Sequence, residues 1–150
     1  MKIYRFFEHS ENPIKIKLED KSLETWNFTK KFLDVLDFNT YMENSNLYQV
    51  VARSLDDIVG VSIFKMKDGK IHINYSAVVE EKRSRGLNVE MTSEIEKIAK
   101  ENNVDVITTN VRESNPASIN SYLKSGFKIN TNYSLSYPDG EKKIALFKRL

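Results

Sequence analysis

Arg83-Ser84-Arg85-Gly86-Leu87-Asn88 follows an apolar strand and opens a helix. One strand later comes Asn115-Pro116-Ala117-Ser118-Ile119-Asn120-Ser121-Tyr122-Leu123-Lys124-Ser125-Gly126-Phe127. A strand, a basic turn with one glycine and a helix N-terminus together favour an anion. First-turn amides there lack intrahelical partners, and the helix dipole is positive at that end. In the second segment Asn115 precedes Pro116, the residue order of a capped helix start. Gly126 stands where a helix end calls for a left-handed residue. Tyr122 falls about two turns into that helix, a proton donor on the same element as an amide that can grip an extended ligand.

Outward from these segments, the hydrophobic rhythm assigns the remaining elements. Met1–Phe7 and Ile14–Leu18 read as short strands, the second alternating isoleucines with lysines. Leu23, Trp26, Phe32, Leu33 and Leu36 recur at helical spacing and predict an amphipathic helix from about Ser22 to Leu36, with a second short helix over Asn39–Glu43. Strands follow at Tyr48–Ser54, Ile58–Met66 and Ile71–Val79, with Asp56-Asp57 and Asp68-Gly69 as the hairpin turns. A helix over Asn88 to Glu101 carries Val89, Ile95, Ile98 and Ala99 partly on one face. Val104–Val111, Phe127–Tyr133 and Lys143–Phe147 are the last strands.

The chain of 150 residues is read as one domain, without repeat, linker or low-complexity tract. At 40% hydrophobic and 11% aromatic residues it has the makings of a packed core rather than a disordered chain. A formal net charge of +2 gives no strong field, so neither nucleic acid nor an anionic membrane is expected as a partner. The absence of cysteine excludes disulfides, thiolate metal sites and a cysteine nucleophile, and fits a reducing compartment. The N-terminus lacks the apolar core of a signal peptide, and no apolar run approaches the roughly 20 residues of a membrane span. The expectation is a soluble cytoplasmic protein with no metal.

The order and spacing of the two segments resemble the GNAT superfamily of acyl-CoA-dependent N-acetyltransferases. The resemblance implies an α/β (α+β) fold: a mixed, mostly antiparallel central sheet of about six to seven strands, helices on both faces, and a splayed strand pair that holds CoA. It implies that backbone at Ser76, Ala77 and Val78 pairs with the pantetheine arm of acetyl-CoA, and that amides from Ser84 through Val89 carry the pyrophosphate. Lys82, Arg83 and Arg85 would add charge for the phosphates. The family pattern at the cradle is Gln or Arg, two residues, Gly, one residue, then Gly or Ala. Arg83 and Gly86 match it and Asn88 departs from it, while Ser84, Arg85, Leu87 and Val89 fill the turn between and after. In the second segment Asn115, Ser118, Tyr122, Gly126 and Phe127 match, which implies that Asn115 and Ser118 border the pantetheine and that Tyr122 lies near the cofactor sulfur. Bland readings stand beside each: a solvated basic loop for Lys82–Arg85, a helix cap for Asn115 and a core tyrosine for Tyr122.

Acetyl transfer needs a neutral amine, a polarised thioester carbonyl and a proton for the leaving thiolate. Tyr122 is the expected acid, and a backbone amide near the end of the Ile71–Val79 strand, that of Val78, the expected carbonyl donor. Some family members carry a carboxylate base on this strand at the position of His72, which is itself a competent base near neutral pH. Strict alternation places His72, Asn74 and Ser76 on one face, opposite Ile71, Ile73 and Tyr75. That face is a wet cleft or simply the solvated side of a sheet. The tail pairs Asn132-Tyr133 and Tyr137-Pro138 are similar to those of ribosomal-protein N-terminal acetyltransferases, whose glutamate base would fall at Asn110. The expected activity is transfer of acetyl from acetyl-CoA to a primary amine of a small molecule or peptide. The alternative is a catalytically weak acyl-CoA-binding or protein-interaction module. Trp26, Phe32, Tyr41 and Tyr133 are candidates to line the acceptor pocket or to be core, and a homodimer through the last strands is possible.

Overall fold

Strand-forming alternation begins at Ile14 in the computed structural model, which describes residues 13–32, 37–83, 85–132 and 134–150. The strand expected at Met1–Phe7 lies outside the described residues. The elements run β1 (Ile14–Leu18), α1 (Leu23–Phe32), α2 (Phe38–Glu43), β2 (Leu47–Ser54), β3 (Asp57–Lys67) and β4 (Lys70–Val78), then a single 3₁₀ turn over Glu80–Lys82. After it come α3 (Leu87–Glu101), β5 (Val106–Arg112), α4 (Pro116–Lys124), β6 (Lys128–Ile129), β7 (Leu135–Ser136) and β8 (Lys142–Arg149). Helix α1, expected to reach Leu36, is described as far as Phe32.

The eight strands form one sheet in the order β1-β2-β3-β4-β5-β8-β6, with β7 also paired to β8. Among the described strands only β4 and β5 run parallel, because α3 carries the chain over the sheet between them, the crossover that parallel pairing requires. The architecture is the expected mixed, mostly antiparallel sheet with helices on both faces. The final hairpin differs in detail. The strand expected over Phe127–Tyr133 stops at Ile129, because Asn130-Thr131-Asn132 closes a turn in which Asn132 N–H donates to Asn130 Oδ1 (3.1 Å). The small β7 is the added strand.

Each face of the sheet has its own core. On one side Leu87, Met91, Ile95, Ile98 and Ala99 of α3 form a buried stripe against Val50, Ala52, Phe64, Ile71, Ile73 and Ile107. Leu87 and Met91 belong to that stripe and Val89 lies beside it, so the helix faces the sheet slightly rotated from the expected register. On the other side Phe28 and Tyr41 cover Leu47, Val51, Val61, Ile63 and Ala77. Tyr41 is only 1% exposed, and its hydroxyl bridges Thr25 Oγ1 and Gln49 Oε1, both at 2.5 Å. Trp26 packs beside it with ring centroids 5.5 Å apart. Tyr41 is therefore core, whereas Phe32 lies exposed at the end of α1 and Tyr133 is outside the described residues.

Of the two expected hairpin turns, Asp68-Gly69 forms as read, both residues at positive φ between paired Lys67 and Lys70. The first turn is one residue earlier than expected. Ser54 pairs with Asp57, so Leu55-Asp56 makes the corner and Leu55 takes φ 55. A positive φ at the first corner position alone favours glycine. Leu55 is also 68% exposed, so its side chain returns little packing. Leu55→Gly should raise the unfolding free energy by about 1 kcal/mol, read as a higher urea midpoint at unchanged slope.

Candidate active site

An extra residue in β4 creates the site. Ile63 of β3 is opposite Tyr75, but its neighbour Phe64 is opposite Ile73, which leaves Asn74 as a bulge. A bulge bends its strand and inverts the side-chain alternation beyond it. Before it, Ile71 and Ile73 point into the α3-side core and His72 to the other face. After it, Tyr75 and Ala77 join the α1 side, while Val78 packs on the α3 side. Ser76 goes with Val78: its Oγ meets Ser62 Oγ at 2.8 Å. The single polar face expected for His72, Asn74 and Ser76 is therefore corrected. The bulge sends His72 and Ser76 to opposite faces and brings Tyr75 to the side of His72.

The same bend separates β4 from β5. Their parallel pairing runs from Lys70↔Val106 to Ile73↔Thr109 and ends there, although both strands continue. Thr109 Oγ1 donates to the Ile73 carbonyl at 2.9 Å and seals the apex of the wedge. Above the apex, Val79 N–H donates to the Val59 carbonyl of β3 (2.9 Å). By alternation Ala77 also turns its backbone groups to β3, and Ser76 and Val78 turn theirs into the wedge. The Val78 carbonyl accepts from Arg83 Nε there at 3.0 Å.

Tyr122 closes the wedge from the α3 side. Helix α4 is held at both ends. Asn115 Oδ1 accepts from Ser118 N–H (3.2 Å) with Pro116 in the first turn. At the other end Gly126, at φ 91, lets Phe127 N–H donate to the Tyr122 carbonyl (3.0 Å). Lys148 Nζ then ties the Ser125 carbonyl (2.6 Å) to Glu96 of α3 (2.7 Å). So fixed, Tyr122 is 4% exposed, and its hydroxyl lies within hydrogen-bonding reach of Ser76, Thr109 and Asn88. Burial raises its pKa, against those hydrogen bonds, which lower it. The phenol therefore stays protonated across the neutral range.

The strand-to-helix turn lies at the open end. Gly86 takes φ 79 and ψ 9 before α3, and no atom lies within 4 Å of where a Cβ would stand. Leu87, Asn88 and Val89 are the first helical residues, whose amides lack intrahelical acceptors. Arg83 and Arg85 are exposed on this turn, and Ser84 lies outside the described residues. Asn88, the departure from the small residue expected there, does not fill the turn. Its Nδ2 donates to Ser121 Oγ of α4 (3.0 Å), and its buried Oδ1 has no protein partner.

His72 sits on the opposite face, one register step before the last rung of the wedge. It pairs with Thr108, and its Nδ1 meets Thr108 Oγ1 at 2.7 Å. Burial lowers its pKa, and Lys143 and Lys65 lower it further, so the ring is neutral near pH 7. Asn110 lies on β5 opposite Ala145 of β8. The wedge thus presents a protonated phenol on one face of the sheet and a neutral imidazole on the other. Ser62 and Thr109 were not singled out in the sequence, and Asn74 was read as part of a polar strand face rather than as a bulge. A polar residue inside the apolar run of β3 was the available signal for Ser62.

A family model, Acetyltransferase (GNAT) family, matches residues 14–127. The chain belongs to the GNAT acetyltransferase family. Among solved structures, this GNAT chain is similar to a Bacillus subtilis acetyltransferase in complex with CoA, with 18% identity, TM-score 0.74 and coverage of 92% of this chain and 99% of that one. It is also similar to the ribosomal-protein-S18-alanine N-acetyltransferase from Escherichia coli (16%, TM-score 0.73, 90% and 94%). A spermidine N-acetyltransferase chimera from Vibrio cholerae is a third likeness (10%, TM-score 0.73, 89% and 95%). At such identities these likenesses speak for the fold. No curated protein matches the chain by sequence. Among the described residues no helix is long and apolar enough to cross a membrane, and no group of acidic, cysteine and histidine side chains could hold a metal ion.

The depressed pKa of His72 has a consequence for stability. The folded state binds this proton less readily than the unfolded chain, so its contribution is present above the ordinary histidine value of 6.5 and is lost as pH falls below it. Unfolding free energy should therefore decline as pH falls below 6.5. In His72→Gln the decline over that window should be smaller, measured by urea titration at each pH.

Proposed function

We propose that this GNAT chain transfers the acetyl group of acetyl-CoA to a primary amine of a small molecule or peptide. The observation that carries the proposal is the wedge itself: unpaired strand edge at Ser76 and Val78, a buried phenol beside it, and a glycine turn with helix amides at its mouth. In this reading the pantetheine adds to β4 along Ser76, Ala77 and Val78, as an extended ligand adds to a sheet edge. Asn115 and Ser118 border it from α4. The pyrophosphate lies on the turn from Arg83 to Val89, over Ser84, Arg85, Gly86, Leu87 and Asn88, where amides and basic side chains favour an anion.

The amine approaches from the His72 face, and its nitrogen attacks the thioester carbonyl carbon, whose developing oxyanion the Val78 amide stabilises. The C–S bond breaks, and Tyr122 donates its proton to the departing sulfur. His72, with one ring nitrogen on Thr108, takes the proton the amine must lose. Asn110 cannot serve as the base. The catalytically weak alternative predicts binding without turnover, so a thiol-release assay over an amine panel separates the two.

Two outcomes test the assignments. Gly86→Val should weaken acetyl-CoA binding at least about tenfold, roughly 1.4 kcal/mol, and the milder Gly86→Ala should weaken it in the same direction. Unchanged affinity by isothermal titration in a folded variant would remove the phosphate role. Tyr122→Phe should lower kcat by about 10²–10⁴ with little change in acetyl-CoA affinity, because only the hydroxyl is lost. Equal turnover in the two enzymes would contradict the acid assignment.

A further inference from the structure

The face of the sheet on the α1 side of the wedge is cationic. Leu146 and Ile144 of β8 pack with the α3-side core, so alternation puts Lys143, Ala145 and Phe147 on the His72 face. The pairs Lys65↔His72, His72↔Thr108 and Thr108↔Phe147 make one continuous row across β3, β4, β5 and β8. Lys143, opposite Arg112, stands at the open end of the wedge with its Nζ 5.0 Å from the Tyr137 ring centroid. The carboxylates of that rim are already engaged. Arg112 Nη1 holds Asp139 at 2.7 Å and Glu141 at 3.0 Å, and Glu141 also accepts from Ser114 N–H at 2.8 Å. Among the described residues no ion pair engages Lys65 or Lys143. Both charges felt at the His72 ring are positive.

We infer that the acceptor is a primary amine that also carries an anionic group, a carboxylate or a phosphate, which Lys143 and Lys65 receive while the amine sits beside His72. The inference rests on the transfer reading above and narrows it. A polyamine would bring two or more cations against these lysines, a like-charge approach that costs binding. An anionic group offsets that repulsion at a distance. The same lysines disfavour the ammonium form of the attacking nitrogen, which must be neutral to react.

The test is thiol release from acetyl-CoA with matched primary amines: aminocarboxylates, aminoalkyl phosphates, uncharged amines of the same length, and spermidine. The expected result is a kcat/KM at least about tenfold higher for an anionic class than for its uncharged match, with the advantage shrinking as salt is added. The carboxylate and phosphate arms decide which anion is preferred. The double variant Lys65→Glu, Lys143→Glu should invert the order toward spermidine while acetyl-CoA affinity stays unchanged. Preference for spermidine in the parent enzyme, or an unmoved ranking in a folded double variant, would overturn the inference and leave acetyl transfer standing. Tight acetyl-CoA binding with no release toward any class would overturn both.

Discussion

One extra residue, Asn74, governs the geometry of this molecule. Were β4 regular through Asn74, Ser76 would share the face of His72 and the strand would be free to keep pairing with β5. With the bulge β4 bends away after Ile73 and Thr109 seals the last shared rung. The cost of the bulge is local, since the ladder to β3 resumes at Tyr75 and continues to Val78. What the bend opens is a strand edge inside the protein, walled by side chains rather than by another strand. An unpaired edge ordinarily invites pairing with any extended chain. Here it is confined to one wedge.

Burial and charge divide that wedge into two chemically distinct sides. On the α3 side Tyr122 is enclosed with Ser76, Thr109 and Asn88, and burial keeps its proton on. On the α1 side His72 is kept neutral by burial and by two lysines. The supports of Tyr122 are all local to α4 and its neighbours: the Asn115 cap, the Gly126 turn and the Lys148 bridge to α3. A proton donor so fixed and a neutral ring across the sheet suit a reaction that delivers one proton and removes another.

Much of this was legible in the residues because local rules fixed it. Asn115-Pro116 and Gly126 announced both ends of α4, and Gly86 marked the turn that takes φ 79. Asp68-Gly69 gave its hairpin for the same reason. The resemblance implied a splayed or bulged end to this strand at Ser76 to Val78, but the bulge at Asn74 was not legible in the residues themselves, because Ile71 to Val78 reads as an unbroken alternating strand. A period-2 reading puts every residue beyond an unseen insertion on the wrong face, which is how Ser76 came to be grouped with His72. The turn at Leu55 was missed because leucine carries no turn preference; pairing of the flanking strands imposes φ 55 on it. Asn88 departs from the small residue of the family pattern, yet its partner Ser121 lies on a different helix, a contact that spacing alone does not give.

In the proposed function the acyl carrier lies along the edge of β4 beyond Asn74. Amide hydrogen exchange of Ser76 and Val78, compared without ligand and under saturating acetyl-CoA, reads that edge directly. Both amides should exchange readily in the free protein and become strongly protected on binding, while the amide of Val79, already bonded to Val59, changes little. Saturation with acetyl-CoA that leaves Ser76 and Val78 exchanging as before would contradict that placement of the carrier.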